Sequence, residues 1–567
     1  MTAINPGLIL IIGALLVPVL PFRLRQIYML ALPVLAAAYL TQLDHGVYGQ
    51  IEFFGLTLET MRLDKLSFIF GLIFHLAAFL GVLFALHVKD VMQQVSALMY
   101  AGAGIAAAFA GDLVTLFVFW ELTAITSVFL IWARRTERAM TVGIRYLIIQ
   151  VGSGVLLLAG LVAHYHATGS IAFDSFGVKT LDDLTMGSAL ILLAFGIKCA
   201  FPFLHNWLQD AYPEATATGT VILSAFTTKL AVYSLARGYA GFEPLIYIGA
   251  AMTAFPVFFA VIENDLRKVL AYSLNNQLGF MVVGVGVGSA LALNGAASHA
   301  FAHILYKALL FMGMGAVLYR VGTTKATELG GLYKSMPYTT IFTIIGAMSI
   351  SAFPLFSGFV TKSMILTAVA QEHHVIVWGI LVFASAGVLE HSGIKIPFFA
   401  FFAHDSGKRP KEAPWNMLLA MGITAALCIG IGVYPDALYQ ILPFDAGYHP
   451  YTADHVVSQM QLLMFAVLAF IVLMVTGLYP PEVRSINLDF DWIYRRLLPA
   501  MWHEIAEGVR EVNTNARALI GGGIGKSIER LYHSHGPQGM MARRWQTGTM
   551  VLWVAIMLGV MMIFYFI

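Results

Sequence analysis

Long apolar runs alternate with short polar connections along almost the whole chain. A helix needs about 20 consecutive apolar residues to cross a bilayer. Runs of that kind lie near 6–22, 26–41, 65–87, 94–110, 112–132, 139–165, 187–207, 215–238, 242–262, 268–287, 292–318, 338–370, 374–403, 414–436, 457–479 and 547–567. In lipid, only helices and closed barrels satisfy their own backbone. The pattern therefore predicts an all-α polytopic membrane protein with about 14–16 transmembrane helices. Pro202 and Pro213 flank the seventh run, and Pro354 and Gly358 interrupt the twelfth. Breaks at membrane depth are tolerated only against protein or water, and both are expected there.

Residues 486–537 follow a different pattern. Charges recur at helical spacing on one face, and Trp492, Leu497, Trp502, Ile505 and Val509 are available for another. This predicts an amphipathic helix lying laterally along a membrane surface. The aromatics and the period disfavour the alternative, a disordered linker. Gly521, Gly522 and Gly523 are expected to break the helix, and Arg543 and Arg544 precede a final span.

Composition excludes soluble classes. Of 567 residues, 59% are apolar and 11% charged, with a mean hydropathy of +0.79; soluble domains carry about 25% charged residues. The first run, from about Gly7 to Leu20, is followed by Arg23 and Arg25 rather than a small-residue cleavage site, and is expected to be a retained span. Net charge says little, because charge counts loop by loop. Arg23 and Arg25, Lys89, Arg134, Arg135 and Arg138, Arg267 and Lys268, Arg320, Lys325 and Lys334, and Lys408, Arg409 and Lys411 fall in alternate connections. The other connections are poorer in Lys and Arg. The positive-inside rule makes the first set cytoplasmic and puts both termini outside, in a bacterial inner membrane. The acidic stretch with Asp210 and Glu214 breaks this pattern.

Isolated ionisable residues lie inside the apolar runs. They are Glu121, Lys198, Lys229, His303, Lys307 and Lys362. A charge near a bilayer centre costs a few kcal/mol, so it is usually paired or functional. Glu121 and Lys198 suit an ion pair between two spans. His299, His303 and Lys307 step by four and share one helical face. Histidine relays protons, and a desolvated lysine can exchange them. Glu390, His391 and Lys395 lie in the next span after Lys362, and His205 follows the Pro202 break. Any one of these suits a satisfied buried polar residue. The whole series asks for a shared hydrated interior.

Two motifs mislead. GGGIGKS at 521–527 resembles a phosphate loop, but Ile520 stands where the P-loop spacing needs Gly. His299 and His303 stand at metal-ligand spacing without the Glu of a zinc-protease motif between them. Cys199 and Cys428 are isolated in apolar context, which leaves no disulfide framework and no cysteine set for an iron–sulfur cluster. No cofactor or metal is expected.

The segments GDLVTLFVFWELTAITSVFLIW, FPFLHNWLQDAYPEATATGTVILSAFTTKLAVYSLAR, ENDLRKVLAYSLNNQLG, SHAFAHILYKALLFMGMG and AFPLFSGFVTKSMIL, in this order, resemble the proton-translocating antiporter-like family. That family includes the large membrane subunits of respiratory complex I and the A and D subunits of Mrp cation/proton antiporters. The resemblance covers about residues 60–480 and is closest to Mrp D-like members. It implies two inverted five-helix repeats with broken helices. The division is then N-terminal spans 1–93, repeats 94–240 and 241–403, C-terminal spans 404–480, a lateral helix 486–537 and an anchor 547–567. It implies a proton path through Glu121, Lys198, Lys229, His303, Lys307 and Lys362; His299 joins this path by sharing the helical face of His303 and Lys307, and His205, Glu390, His391 and Lys395 are additional candidate positions from their place in the chain. AYPEATATGT and NNQLG depart from the family pattern.

The function this implies is a proton-translocating subunit of a multisubunit Mrp-type Na⁺/proton antiporter, a transporter subunit without a catalytic site of its own. One alternative is an antiporter-like subunit of a complex I or membrane hydrogenase relative. Another is the proton-conducting partner of an inorganic-carbon uptake complex with a zinc subunit. The expected partners are other membrane subunits, the lipid bilayer, protons and a monovalent cation, and no nucleic acid.

Overall fold

Helices begin where a short polar side chain can cap them. Asp64, Asp90, Asp112, Thr136, Thr185, Asp265, Ser289 and Thr452 each accept a hydrogen bond from a first-turn N–H, which satisfies donors that a helix leaves orphaned. The computed structural model describes residues 3–566, apart from 446, 481, 484–486, 488, 540, 541 and 543–545. Arg543 and Arg544 lie outside the described residues. The chain divides into two compact units, Met1–Asp489 and Phe490–Ile567.

The first unit opens with α1 (Pro6–Ala14), α2 (Phe22–Leu40) and an antiparallel hairpin of β1 (Gly46–Phe53) and β2 (Leu56–Leu63). There follow α3 (Lys65–Phe84), α4 (Val91–Ala108), α5 (Leu113–Trp132), α6 (Glu137–Thr168), α7 (Met186–Cys199), α8 (Asn206–Glu214), α9 (Gly219–Leu223) and α10 (Thr227–Gly238). Next come α11 (Pro244–Ile262), α12 (Leu266–Val287), α13 (Ala290–Val321), α14 (Pro337–Ile350), α15 (Ser357–Gln371) and α16 (Val375–Val388). The single turn α17 (Lys395–Pro397) sits between two π-helical stretches, Leu389–Ile394 and Phe398–Phe402. The unit closes with α18 (Trp415–Val433), α19 (Asp436–Tyr439) and α20 (Ala453–Val475). Buried α13 is central, packed against α3, α12, α14, α15 and α18.

The hairpin corrects the all-α expectation. Phe53 pairs with Leu56 across the two-residue turn Phe54–Gly55, whose φ values are 49° and 77°. Two positive φ angles mark the type I′ turn that suits strand twist. Val47, Ile51 and Phe53 fall in the connection between the second and third apolar runs, where eight-residue strands are short against the membrane-length runs.

Among the described residues, ten helices are long and apolar enough to cross a membrane unaided. The difference from about sixteen runs has a physical cause. The seventh and twelfth runs are broken, so α7 and α14 are shorter apolar helices of 14 residues each. The 22-residue α12 carries Arg267, Lys268, Asn275, Asn276 and Gln277, which lower its hydropathy.

The two breaks use one device. Ala200-Phe201-Pro202-Phe203 follows α7, with positive φ at Ala200 (61°) and Phe203 (71°). Ala352-Phe353-Pro354-Leu355 follows α14, with positive φ at Ala352 (57°) and Leu355 (73°). What precedes them also recurs. Asp112 caps α5 and Asp265 caps α12; each is followed by a 32-residue helix, α6 or α13. The chain then returns to the capping aspartate, in the bridges Asp112–Ala172 and Asp265–Lys325.

The third interruption, between α8 and α9, is gathered by one side chain. The buried Arg267 guanidinium donates to the carbonyls of Pro213 (2.7 Å), Ala215 (3.0 Å) and Thr216 (3.2 Å) and to the Thr220 hydroxyl. Charge pairing also explains the acidic exception beside it. Glu214 pairs with Arg138 at 2.8 Å and Arg134 at 3.4 Å, and Asp210 with Arg145 at 2.7 Å.

The second unit holds α21 (Leu498–His535) and α22 (Thr547–Phe566). The expected break at Gly521, Gly522 and Gly523 is absent, because α21 is continuous over 38 residues. A mid-helix Gly costs only about 1 kcal/mol relative to Ala, and nothing crowds these positions.

Close backbone approach fixes one glycine at the second break. A Cβ on Gly358 would stand 1.9 Å from the Ser349 carbonyl oxygen, whereas one on Gly379 would meet nothing. Gly358→Ala is expected to lower stability by about 1–3 kcal/mol, the usual cost of overpacking, and Gly379→Ala to leave it unchanged. Thermal unfolding of the purified protein checks both.

Candidate functional site

Lys198 lies in the last turn of α7, where the helix dipole favours a cation. Its buried ammonium donates to the Trp120 carbonyl at 2.5 Å and the Thr123 hydroxyl at 2.9 Å, and lies 4.3 Å from the Trp120 ring. Trp120 is itself held, its indole N–H donating to Ser153. Glu121 does not form an ion pair within 4 Å of Lys198, but the two are within electrostatic reach. Its carboxylate rests on Gly154 of α6, and Oε1 is buried without a hydrogen-bond partner.

Lys229 comes next. Its Nζ donates to the Ser224 carbonyl (2.6 Å), freed at the end of α9, and to Thr228 (3.2 Å). Cys199, which neighbours Lys198 in sequence, lies near Lys229. The α13 row then follows. His303 feels Lys229, Lys307, His299 and Lys362, and neither of its ring nitrogens has a protein partner. Its ring lies 6.4 Å from that of His299 and 5.2 Å from that of Tyr306.

Two hydrogen-bonded branches leave this row. Lys307 donates to Ser273 Oγ at 2.8 Å; Ser273 accepts from Ser392 at 2.7 Å, and Ser392 lies 2.8 Å from His391 Nδ1. On the other branch, His299 bonds Gln277 Oε1 (3.1 Å) and Thr361 (3.0 Å), the residue before Lys362. Lys362 donates to the Ile350 carbonyl at 3.1 Å, the last residue of α14, and sits 5.1 Å from the Phe280 ring.

Lys395 ends the first branch. It donates to the carbonyls of Val261 (2.6 Å) and Glu263 (2.8 Å), closing α11, and pairs with Glu482 at 2.7 Å. Glu390 is half-buried within its electrostatic reach. Lys395 and Lys307 both act on His391. His205 stands apart from the row, bonded to Asp489 at 3.2 Å. Among the described residues, no group of three His, Cys, Asp or Glu is placed to hold a metal ion.

Residues 110–387 match the family described as NADH:quinone oxidoreductase/Mrp antiporter, TM. The D subunit of the Na⁺/H⁺ antiporter of Alkalihalophilus pseudofirmus is 30% identical over 357 residues, covering 60% of this chain and 72% of that protein. The chain belongs to this family. It is an antiporter-like, multi-pass membrane subunit.

Other members lie at similar distance. NAD(P)H-quinone oxidoreductase chain 5 of Picosynechococcus sp. is 28% identical over 63% of this chain and 61% of its own length. Hydrogenase-4 component B of Escherichia coli is 28% identical over 66% of this chain and 62% of its own. The chain thus spans less than two thirds of these two relatives. Two solved structures share the fold. One is the Mrp complex from Dietzia sp. DQ12-45-1b, with a TM-score of 0.66, 21% identity and coverage of 77% of this chain and 91% of that one. The other is a membrane-bound sulfane sulfur reductase, an archaeal respiratory complex, with a TM-score of 0.68, 24% identity and coverage of 77% and 95%.

The family segment contains Glu121, Lys198, Lys229, His299, His303, Lys307 and Lys362 and ends before Glu390, His391 and Lys395. In this antiporter-like subunit all but Glu121 of the former are almost wholly buried in one interior. Sequence reasoning missed the uncharged connectors Ser273, Gln277, Tyr306, Thr361 and Ser392, which look like ordinary helix residues. It also missed Glu482 and Asp489, which lie in a connection rather than a span.

Lys307 has a single good hydrogen bond and no counter-ion in its surroundings. Burying such a charge opposes folding. Lys307→Met is therefore expected to leave thermal stability of the antiporter-like subunit unchanged or higher. A loss of about 3 kcal/mol, typical of breaking a buried ion pair, would mark Lys307 as a structural anchor.

Proposed function

We propose that this chain is the proton-translocating subunit of a multisubunit Mrp-type Na⁺/proton antiporter. The observation that carries the reading is the continuity of the buried series. Glu121 and Lys198 lie within electrostatic reach of each other, and so do the successive groups of the stretch from Lys229 through His303, Lys307, His299 and Lys362 to His391 and Lys395; Cys199, the sequence neighbour of Lys198, lies near Lys229. A proton arriving at one position changes the cost of a proton at the next. Histidine and lysine can each give up and regain a proton there. Of the two branches, Lys362 and the Glu390–Lys395 region are the candidate exits.

Several features support the wider assignment. The recurring Asp cap, long helix and broken helix favour two structural repeats, in inverted orientation as in many transporters. The basic connections meet at one end: Arg135 pairs with Asp90 (2.9 Å), Arg134 with Glu214 (3.4 Å) and Lys334 with Asp405 (2.8 Å). That end is assigned to the cytoplasm of a bacterial inner membrane, with both termini outside. The long amphipathic α21 and apolar α22 suit a lateral clamp and anchor for neighbouring subunits. A redox-driven complex of the quinone oxidoreductase or hydrogenase type is the second reading, favoured by relatives at 28% identity.

The decisive experiment is proton transport by vesicles carrying the assembled complex. Lys229→Ala is expected to abolish transport while assembly is unchanged. Normal transport by this variant would refute the path. A Na⁺ gradient that drives proton movement without a redox substrate would separate the antiporter from its redox-driven alternative.

A further inference from the structure

Three described residues of the connection between α20 and Phe490 are tied to the helices by their side chains or backbone. Glu482 pairs with Lys395 at 2.7 Å. Asn487 donates to the Ile262 carbonyl (3.0 Å) and accepts from Lys268 (3.1 Å). Asp489 reaches furthest. Its Oδ2 accepts from the Tyr272 hydroxyl (2.7 Å) and lies 3.2 Å from His205 Nε2, and Oδ1 accepts from Asn206. The side chains of His205 and Asp489 are 3% and 2% exposed.

His205 ends the interruption between α7 and α8 and packs against Phe255 at 4.6 Å. Its second ring nitrogen, Nδ1, is buried without a protein partner. A carboxylate at Nε2 fixes the tautomer: Nε2–H donates to Asp489 and Nδ1 keeps its lone pair. The charged pairs on the elements around it include Lys268 with Glu263 (2.9 Å) from α12 and the turn before it, Arg145 with Asp210 (2.7 Å) from α6 and α8, and Glu214 of α8 with Arg138 (2.8 Å) and Arg134 (3.4 Å). These pairs already contain both signs, which leaves Asp489 as the carboxylate bonded to the imidazole.

We propose that Asp489 is a positioning residue for a proton relay at His205. Nδ1 takes up a proton, Asp489 balances the imidazolium, and the same nitrogen releases the proton onward. The relay presupposes the proton path proposed for this chain.

The test measures proton transport against pH in vesicles holding the full assembled complex. Asp489→Asn keeps the shape and removes the charge. It is expected to lower transport roughly tenfold, as loss of a carboxylate behind a working histidine does, and to shift the pH profile to lower pH. Asp489→Glu is expected to restore the wild-type profile. Adding Asp489→Asn to His205→Gln is expected to cost nothing further. Tyr272→Phe, which loosens the same carboxylate, is expected to shift the profile in the same direction by less. A wild-type rate and profile for Asp489→Asn, in a complex that Lys229→Ala silences, would overturn the inference and leave the path standing. Losses that multiply between Asp489→Asn and His205→Gln would overturn it as well. If Asp489→Asn fails to assemble, Tyr272→Phe decides, and an unshifted profile there overturns it. Normal transport by Lys229→Ala would defeat the path itself, and this inference with it.

Discussion

An ammonium group inside an apolar bundle needs oxygen partners, and helix ends supply most of them here. Lys229 caps the carbonyl of Ser224 after α9, Lys362 that of Ile350 at the end of α14, and Lys395 those of Val261 and Glu263 at the end of α11. The last carbonyls of a helix have no partner in the helix and carry the negative end of its dipole. A helix end at membrane depth is therefore a seat for a buried lysine. The positive-φ residues Ala352 and Leu355 are the local cost of making the α14 end that seats Lys362.

A carbonyl seat differs from a carboxylate one. A carbonyl holds an ammonium without neutralising it, so the charge stays available to its neighbours. Most members of the row lack a counter-ion, and Glu121 and Glu482 stand near its two ends. That distribution suits groups whose charge must change during work, and it suits a stable ion-paired core poorly. Arg267 is the contrast: equally buried, it binds several carbonyls at once and holds a fixed backbone shape.

Much of this was legible in the residues. Isolated charges in apolar runs mark themselves, and Pro202, Pro354 and Gly358 mark the breaks. The spacing of His299, His303 and Lys307 gave their shared face. The hairpin was hidden because a period of two over eight residues is faint beside membrane-length runs. The continuity of α21 across Gly521–Gly523 was missed because the per-residue penalty of glycine is small against a 38-residue helix. The neutral connectors Ser273, Gln277 and Ser392 could not be singled out, since their importance comes only from the partners that folding brings to them. The same holds for Asp489, far along the chain from His205.

The central claim is that the row is one connected path rather than a set of separate buried contacts. His303 tests it best, because both ring nitrogens lack a protein partner at the point where Lys229, Lys307, His299 and Lys362 converge. A buried polar group of this kind is normally satisfied by water. The direct measurement is a cryo-electron microscopy map of the assembled complex at a resolution that shows ordered water. The account predicts waters on both nitrogens of His303, linking it towards Lys229 on one side and Lys307 on the other. A dry, closely packed His303 with no water between it and either lysine would contradict it.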